Sequence, residues 1–345
     1  MQDRRENQRS IKKAVSIAGI GLHTGVQTRM TFKPAAQNTG IRFLRTDVPN
    51  AKPIPADIDH VVDISRGTTL EHNGSRIHTT EHVLAAISGL EIDNILIELD
   101  NKEPPVMDGS AIPFVDILLD AGFEEQDAAR EYLVLDKTIT YSDPDKGVDI
   151  HALPSNQFRV TFLIDYKLQS LGTQYMSFYS LEQDFVEQIA PARTFCFLHE
   201  VEELKAQGLI KGGSADTALV MIDRKIEESE LDRLQKLFNI DEKLIQSDNG
   251  ILNGKELRSK TEPVRHKILD LIGDLALLGM PIQGHITAAR SGHASNVELV
   301  RLLKKEYEKQ ILAKRFQRKP RERQIVFDTE AIMRILPHRY PFLLI

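Results

Sequence analysis

Arg265-His-Lys-Ile-Leu-Asp-Leu-Ile-Gly-Asp-Leu-Ala-Leu-Leu-Gly279 carries apolar residues at helical spacing and closes on a glycine, the usual helix stop. His266, Asp270 and Asp274 recur every fourth residue and so project from one face of that helix. Ile268, Leu269, Leu271 and Ile272 surround them, and three ionisable groups on so apolar a helix need partners, because unpaired buried charge is costly. A histidine and a carboxylate at this spacing suit a zinc ion, although surface ion pairs use the same spacing. Glu81-His-Val-Leu-Ala-Ala-Ile-Ser-Gly-Leu90 repeats the plan: a charged residue, a histidine, an apolar run and a glycine. Two such helices predict a duplicated layer, in which sheets with one apolar face cover helices to give an α+β fold. Strict strand–helix alternation is missing, which argues against a doubly wound parallel sheet.

Strand patterns flank the two helices. Val15-Ser-Ile-Ala-Gly-Ile-Gly-Leu22 runs into a glycine-rich turn, and Thr28-Arg-Met-Thr-Phe32 alternates as a half-buried strand does. Ile92 to Leu99 reads as a strand closed by Asp100-Asn and the Pro104-Pro105 breaker. Thr79 or Thr80 is expected to cap the first helix, and a further helix is expected after Pro113. Strands resume at Tyr132-Leu-Val-Leu and at Phe158-Arg-Val-Thr-Phe-Leu-Ile, separated by the turn Ser142-Asp-Pro-Asp-Lys-Gly147. The charged run Glu124-Glu-Gln-Asp-Ala-Ala-Arg-Glu131 suggests a domain boundary, so the expected division is 1–128, 129–305, a basic linker 306–323 and a short segment 324–345.

Bulk properties narrow the class. A chain of 345 residues corresponds to about two domains, and 41% hydrophobic with 27% charged residues is the composition of an ordinary globular protein. The single cysteine, Cys196, excludes an intramolecular disulfide and a cysteine-rich zinc module, and fits a reducing cytoplasm. The N-terminus is polar with no apolar core behind it, so no signal peptide is expected, and no apolar run is long enough for a membrane span. Net charge is −6, yet Arg301 to Arg323 holds ten Lys/Arg against three Glu, which leaves −13 for the rest. Only Tyr307 and Phe316 interrupt that basic stretch, so it reads as a solvated helix and linker, with no nucleic-acid partner.

Four elements carry chemistry. His266 and Asp270 are the first. Glu81-His82 is the second, able to supply a further metal ligand and a base beside it. From spacing alone His78 and His82 form an equally plausible ligand pair, ranked lower because the strand-to-helix change lies between them. The third is Ser291-Gly-His-Ala-Ser-Asn296, where His293 follows a strand-like segment and is exposed enough to act as a general acid. The fourth is Ala192-Arg-Thr-Phe-Cys-Phe197, whose Thr194 hydroxyl could donate to an oxyanion while Phe195 and Phe197 pack against a ligand. His60, His72, His151, His199 and His285 have no such company and read as structural or surface residues.

Together these segments resemble the UDP-3-O-acyl-N-acetylglucosamine deacetylases, zinc enzymes of the committed step of lipid A synthesis. The resemblance covers about residues 9–300 and rests on Gly19-Ile-Gly-Leu-His-Thr-Gly25, Thr80-Glu-His-Val-Leu-Ala-Ala86, Asp93-Asn94, Met107-Asp-Gly-Ser-Ala-Ile-Pro-Phe114 and Ala192-Arg-Thr-Phe195. It continues through Gly212-Gly-Ser-Ala-Asp216, Arg265 to Leu275 and Ser291 to Asn296, all in order. It implies zinc held by His82, His266 and Asp270, Glu81 as base, His293 as acid oriented by Asp274, and Thr194 at the oxyanion. It further implies that Lys267 and Phe195 contact a UDP-linked acylated glucosamine, and that Phe197, Val201, Gly213, Ser214 and Val220 line an acyl passage. The implied fold is two similar layered domains, each a sheet on a helix pair, with zinc in the cleft between them. Cys196, Pro263 and the segment Tyr166 to Gly172 depart from the family pattern and leave the shape of that passage open.

Val326 to Leu344 resembles the start of a 3-hydroxyacyl-[acyl-carrier-protein] dehydratase, with His338 at the position of its catalytic histidine. The chain therefore reads as the first enzyme of a fusion followed by the first residues of the second, and the full fusion is expected to oligomerise through the dehydratase. Two rival readings are a zinc peptidase, which usually carries His-Glu-x-x-His on one helix, and a non-catalytic protein with a structural zinc, which would need a fourth protein ligand.

Overall fold

A computed structural model of the chain describes residues 5–65, 67–166, 171–179, 181–214, 217–223, 227, 231–235, 250–252 and 254–317. Residues 1–304 form one compact unit and 305–345 a second, of which the described part, to Gln317, is helical. The segment 324–345, with His338, lies outside the described residues.

Two five-stranded sheets dominate the first unit. In one, Val15–Ile20, Gln27–Pro34, Ile95–Leu99, Ile41–Arg45 and Ile54–Pro55 lie side by side in that order. In the other the order is Ile139–Asp143, Val148–Leu153, His285–Ala289, Arg159–Asp165 and Thr173–Phe178. Both follow one pattern: the last strand in sequence lies in the middle, parallel to one neighbour (Ile41–Arg45, Arg159–Asp165) and antiparallel to the other. Alternation sets their faces. Met30, Phe32, Ile95, Ile97 and Leu99 are buried in the first sheet, and Val148, Ile150, Val160, Phe162, Ile164 and Ile286 in the second, while the residues between them face outward. The chain is thus a mixed α+β structure with several sheets.

The described helices that bear on the site are α1 (Glu81–Gly89), α2 (Ile112–Ala121), α3 (Leu198–Ala206), α4 (Glu262–Leu275) and α5 (His293–Gln317). α1 packs on α4 and α2, and α4 lies on the strands Arg159–Asp165 and Thr173–Phe178. Nearly all of α4 is buried, including His266, Asp270 and Asp274. It is followed by a 3-10 turn, Ala276–Leu278, and then by Gly279 in the left-handed region at φ 78°, where the chain reverses. α1 meets α4 so closely that a Cβ on Gly273 would lie 2.2 Å from the carbonyl oxygen of Glu81. Only glycine permits that crossing.

Three stretches take a form that the sequence pattern did not specify. The charged run 124–131 is largely a strand, Phe123–Ala129, paired antiparallel with Asn7–Ile11. Its Glu125 accepts from Asn7 and its Gln126 from Asn94, so polar side chains serve pairing here. The strand expected from Ile92 begins at Ile95, because Asp93 and Asn94 are committed elsewhere: Arg5 and Arg130 hold Asp93, and Asn94 accepts from the Gly40 amide. Thr80 takes the N-cap position of α1 but its hydroxyl donates to the carbonyl of Thr68, and Thr79 adopts a left-handed φ of 53°.

An insert lies in sequence between the strand Thr173–Phe178 and α4. Phe195–Phe197 pairs in parallel with Leu219–Met221, and α3 covers an apolar cluster of Leu198, Val201, Leu204, Ile210, Val220 and Ile222.

Candidate metal centre

The start of α1 delivers Glu81 and His82, and one turn of α4 delivers His266 and Asp270. His82 Nε2 stands 3.7 Å from Asp270 Oδ1, and His266 Nε2 stands 3.4 Å from the same oxygen. One ligand atom from each of the three residues falls within 4.8 Å of the others, the only such group of metal-binding side chains among the described residues. The two imidazoles meet edge to face with centroids 5.0 Å apart. Atoms bound about 2.0–2.1 Å from a tetrahedral zinc lie about 3.4 Å apart, so the spacing fits such an ion with little movement. His266 Nδ1 donates to the carbonyl of Ala192 at 3.0 Å, which leaves Nε2 unprotonated toward the site. Burial keeps both histidines in the neutral form a metal needs: it depresses His266, and together with His266 it pushes His82 down to about 3. Two imidazole nitrogens and one carboxylate oxygen make a group of donors that could hold a metal ion.

His78, the competing ligand, bonds the Thr69 hydroxyl through Nδ1 at 3.1 Å and is not part of this group.

The charged groups around the three ligands are arranged in a chain. Lys267 donates to Asp270 Oδ2 at 2.7 Å. Burial opposes charge on both, but each holds the other ionised: Asp270 sits well below the usual carboxylate range and Lys267 above the usual lysine value. Glu81 is almost completely buried and accepts the Thr68 amide at 2.9 Å. Desolvation pushes its carboxyl up to about 7, assisted by the negative Asp270 and resisted by His293. That places a base near neutrality beside the ligand set.

His293 opens α5 and donates from Nδ1 to Asp274 Oδ2 at 2.8 Å. Burial works against its charge, yet Asp274 overrides it and raises His293 to about 10, so the imidazolium persists at neutral pH. Asp274 is fully buried and takes two more hydrogen bonds, from Asn296 Nδ2 at 2.9 Å and from the Thr68 hydroxyl at 2.7 Å. Both groups hold protons more tightly than usual, but His293 does so well above neutrality and Glu81 only up to it, so a proton acceptor and a proton donor can coexist in one site.

The remaining expected residues fall on the insert and its entry. Thr194 is fixed by its backbone, its amide donating to Gly109 and its carbonyl accepting from Leu219. Phe195 lies edge-on to His266 with centroids 6.3 Å apart and edge-on to Tyr166 at 5.8 Å. Phe197 joins the same aromatic group through Tyr166 and stacks on His199. Val201 and Val220 are buried in the insert's own cluster, whereas Ser214 is exposed in a turn closed by Thr217, next to Gly213. A cavity of about 670 Å³ lined by Arg42, Asp57, Tyr179 and Leu275 contains none of these residues.

Sequence reading missed Thr68, Asn296, the Ala192 carbonyl and the ion pair of Arg193 with Glu262. Arg193 Nε donates to the buried Glu262 at 2.8 Å and so ties the start of the Thr194 segment to α4. Asn296 was accessible, since it stands one helical turn after His293; the other three carry no local pattern.

Residues 8–238 and 225–305 match the family model for UDP-3-O-acyl N-acetylglycosamine deacetylase. A bifunctional enzyme LpxC/FabZ of Chlorobaculum tepidum is 51% identical over 340 residues, 98% of this chain and 73% of that enzyme. Another of that name from Porphyromonas gingivalis is 39% identical over 99% of this chain and 73% of its own. A UDP-3-O-acyl-N-acetylglucosamine deacetylase of Myxococcus xanthus is 41% identical over 86% of this chain and 85% of its own.

Proposed function

The chain belongs to the UDP-3-O-acyl N-acetylglycosamine deacetylase family, and from that premise we propose how its residues hydrolyse the acetamide of a UDP-3-O-acyl-N-acetylglucosamine in lipid A biosynthesis. The observation that supports it most directly is the convergence of His82, His266 and Asp270, with Glu81 next to His82 in the chain and Asp274, bonded to His293, one helical turn after Asp270. Zinc is the ion we assign to the three ligands, and when bound it supplies a Lewis acid that polarises the amide carbonyl and acidifies water.

The chain's own residues do the rest. Glu81, whose carboxyl is raised by burial, accepts the proton of the attacking water. The Thr194 hydroxyl donates to the oxygen that becomes negative; one donor of this kind is typically worth about 3 kcal/mol. His293 gives the proton of its other ring nitrogen, Nε2, to the departing nitrogen, which leaves poorly as an anion, and Asp274, bonded at Nδ1, keeps the imidazole charged until then. Acetate and a free glucosamine amine result. Lys267 and Phe195 hold the polar and sugar portions of the substrate. Phe197, Val201, Gly213, Ser214 and Val220 belong to the insert to which we assign the acyl chain; the apolar cluster holding Val201 and Val220 supports that.

No helix among the described residues is long and apolar enough to cross a membrane, and we place the reaction in the cytoplasm, a reading supported by the lone free thiol of Cys196. The relatives named as LpxC/FabZ bifunctional enzymes support reading residues 324–345 as the beginning of a fused dehydratase, through which the fusion would oligomerise. Acetate release from UDP-3-O-(3-hydroxyacyl)-N-acetylglucosamine, abolished by chelation and restored by zinc, tests the assignment. Release that persists in metal-free protein would sink it.

A further inference from the structure

Thr68 touches both arms of the site. It is fully buried in the turn after Gly67, and every polar atom it has is engaged. Its amide donates to Glu81 Oε2 at 2.9 Å, and its hydroxyl donates to Asp274 Oδ1 at 2.7 Å. Its carbonyl accepts from both the amide and the hydroxyl of Thr80, the N-cap of the helix that presents Glu81 and His82. One residue thus bonds the base, the carboxylate behind the acid, and the helix start between them.

The consequence follows from the shape of a carboxylate. Asp274 is wholly desolvated, so its orientation is set by donors rather than by water. His293 and Asn296 share Oδ2, and Thr68 is the side-chain donor on Oδ1. With Oδ1 held, Oδ2 is fixed in the plane that meets His293 Nδ1; without it the carboxylate can turn about its Cβ–Cγ bond and carry the imidazole away from the scissile nitrogen.

We infer that Thr68 is a positioning residue for the deacetylation, its hydroxyl holding the Asp274–His293 pair in register with the base that its own amide holds. The inference rests on the assignment of His293 as the acid. Thr68→Val deletes the hydroxyl, keeps the shape and leaves the amide bond to Glu81 untouched; Thr68→Ala makes the same deletion in less volume should valine not fold. Thr68→Ser restores the donor.

The test measures kcat, KM, zinc content and melting temperature for the full zinc-loaded chain, for these variants, for His293→Ala, and for His293→Ala combined with Thr68→Val. A lost hydrogen bond to a buried charge corresponds to a fall of about ten- to a hundred-fold in kcat for Thr68→Val, with KM and zinc content within about two-fold of wild type. Thr68→Ser should recover to within about three-fold of wild type, and in the His293→Ala background Thr68→Val should cost less than about two-fold, because the residue it positions is gone. Wild-type kcat in Thr68→Val, an equal loss in Thr68→Ser, the same loss without His293, or a loss that follows zinc content would each overturn the inference. If His293→Ala alone kept full activity, the acid assignment would fail and take the inference with it. An inactive His293→Ala beside a fully active Thr68→Val would overturn the inference alone.

Discussion

Replacing Gly273 with alanine should unseat the metal centre without altering a ligand. A Cβ at that position would stand 2.2 Å from the Glu81 carbonyl oxygen and 2.9 Å from its carbon, while real Cβ atoms essentially never come within 3.0 Å. Both obstacles are backbone, so no rotamer change relieves them, and α1 and α4 must separate by at least about 0.8 Å at the crossing. The ligand set is divided between those helices, His82 on α1 and His266 with Asp270 on α4. Metal–ligand distances tolerate only about 0.2 Å, so the separation exceeds what the site can absorb. Overpacking of this kind costs about 1–3 kcal/mol, which a chain with two well-formed sheets should survive. Zinc affinity in a metal buffer is the primary readout, with melting temperature and acetate release alongside. Affinity should fall about ten- to a hundred-fold, as it does when support of a ligand is disturbed, while the metal-free protein stays folded. A Gly273→Ala protein that binds zinc and deacetylates as well as wild type would refute the reasoning.

Other outcomes follow from the same geometry. His82→Ala, His266→Ala and Asp270→Ala should each lose tightly bound zinc and activity together, as metal analysis of the purified variants will show, because three ligands leave none to spare. Glu81→Gln should retain zinc while deacetylation falls about 10²–10⁴-fold; a near-normal rate would exclude Glu81 as the base. The pH profile of kcat/KM should be bell-shaped. Glu81 must lose a proton, so the rate rises through a limb at or below about 7, since a bound cation lowers that value further; His293 must keep one, so the rate falls on the alkaline side, at or below about 10 for the same reason. In His293→Ala that alkaline limb should vanish, and its persistence would assign it to another group. Removing residues 324–345 should leave acetate release within a few-fold, because the family match ends at residue 305.

Residues 124–131 show what local reading leaves out. Charge density there suggested a domain boundary, but not that Phe123–Ala129 has a partner strand more than a hundred residues earlier in the chain, with which its Glu125 and Gln126 gain hydrogen bonds. Helix caps failed for a similar reason. As a cap the Thr80 hydroxyl would accept from a backbone N–H of the first helical turn, but it makes no such bond and donates instead to the Thr68 carbonyl, outside the helix.

Sequence alone determined the two helices, since a 3.6-residue apolar period and a closing glycine are properties of consecutive residues. It determined that His266, Asp270 and Asp274 share a face, because spacing of four on a helix admits no other result. It also determined the chemistry these residue types can perform. Spacing left His78 and His82 open and the family resemblance pointed to His82; the tertiary structure turns the first toward Thr69 and the second toward Asp270. Only it placed Thr68 against Asp274, two residues 206 positions apart, and set the carbonyl of Ala192 behind His266. The physical reason is the range of the information. Periodicity reports which side of an element avoids water, whereas the partner on that side, and the tautomer, charge state and orientation it imposes, depend on how elements pack.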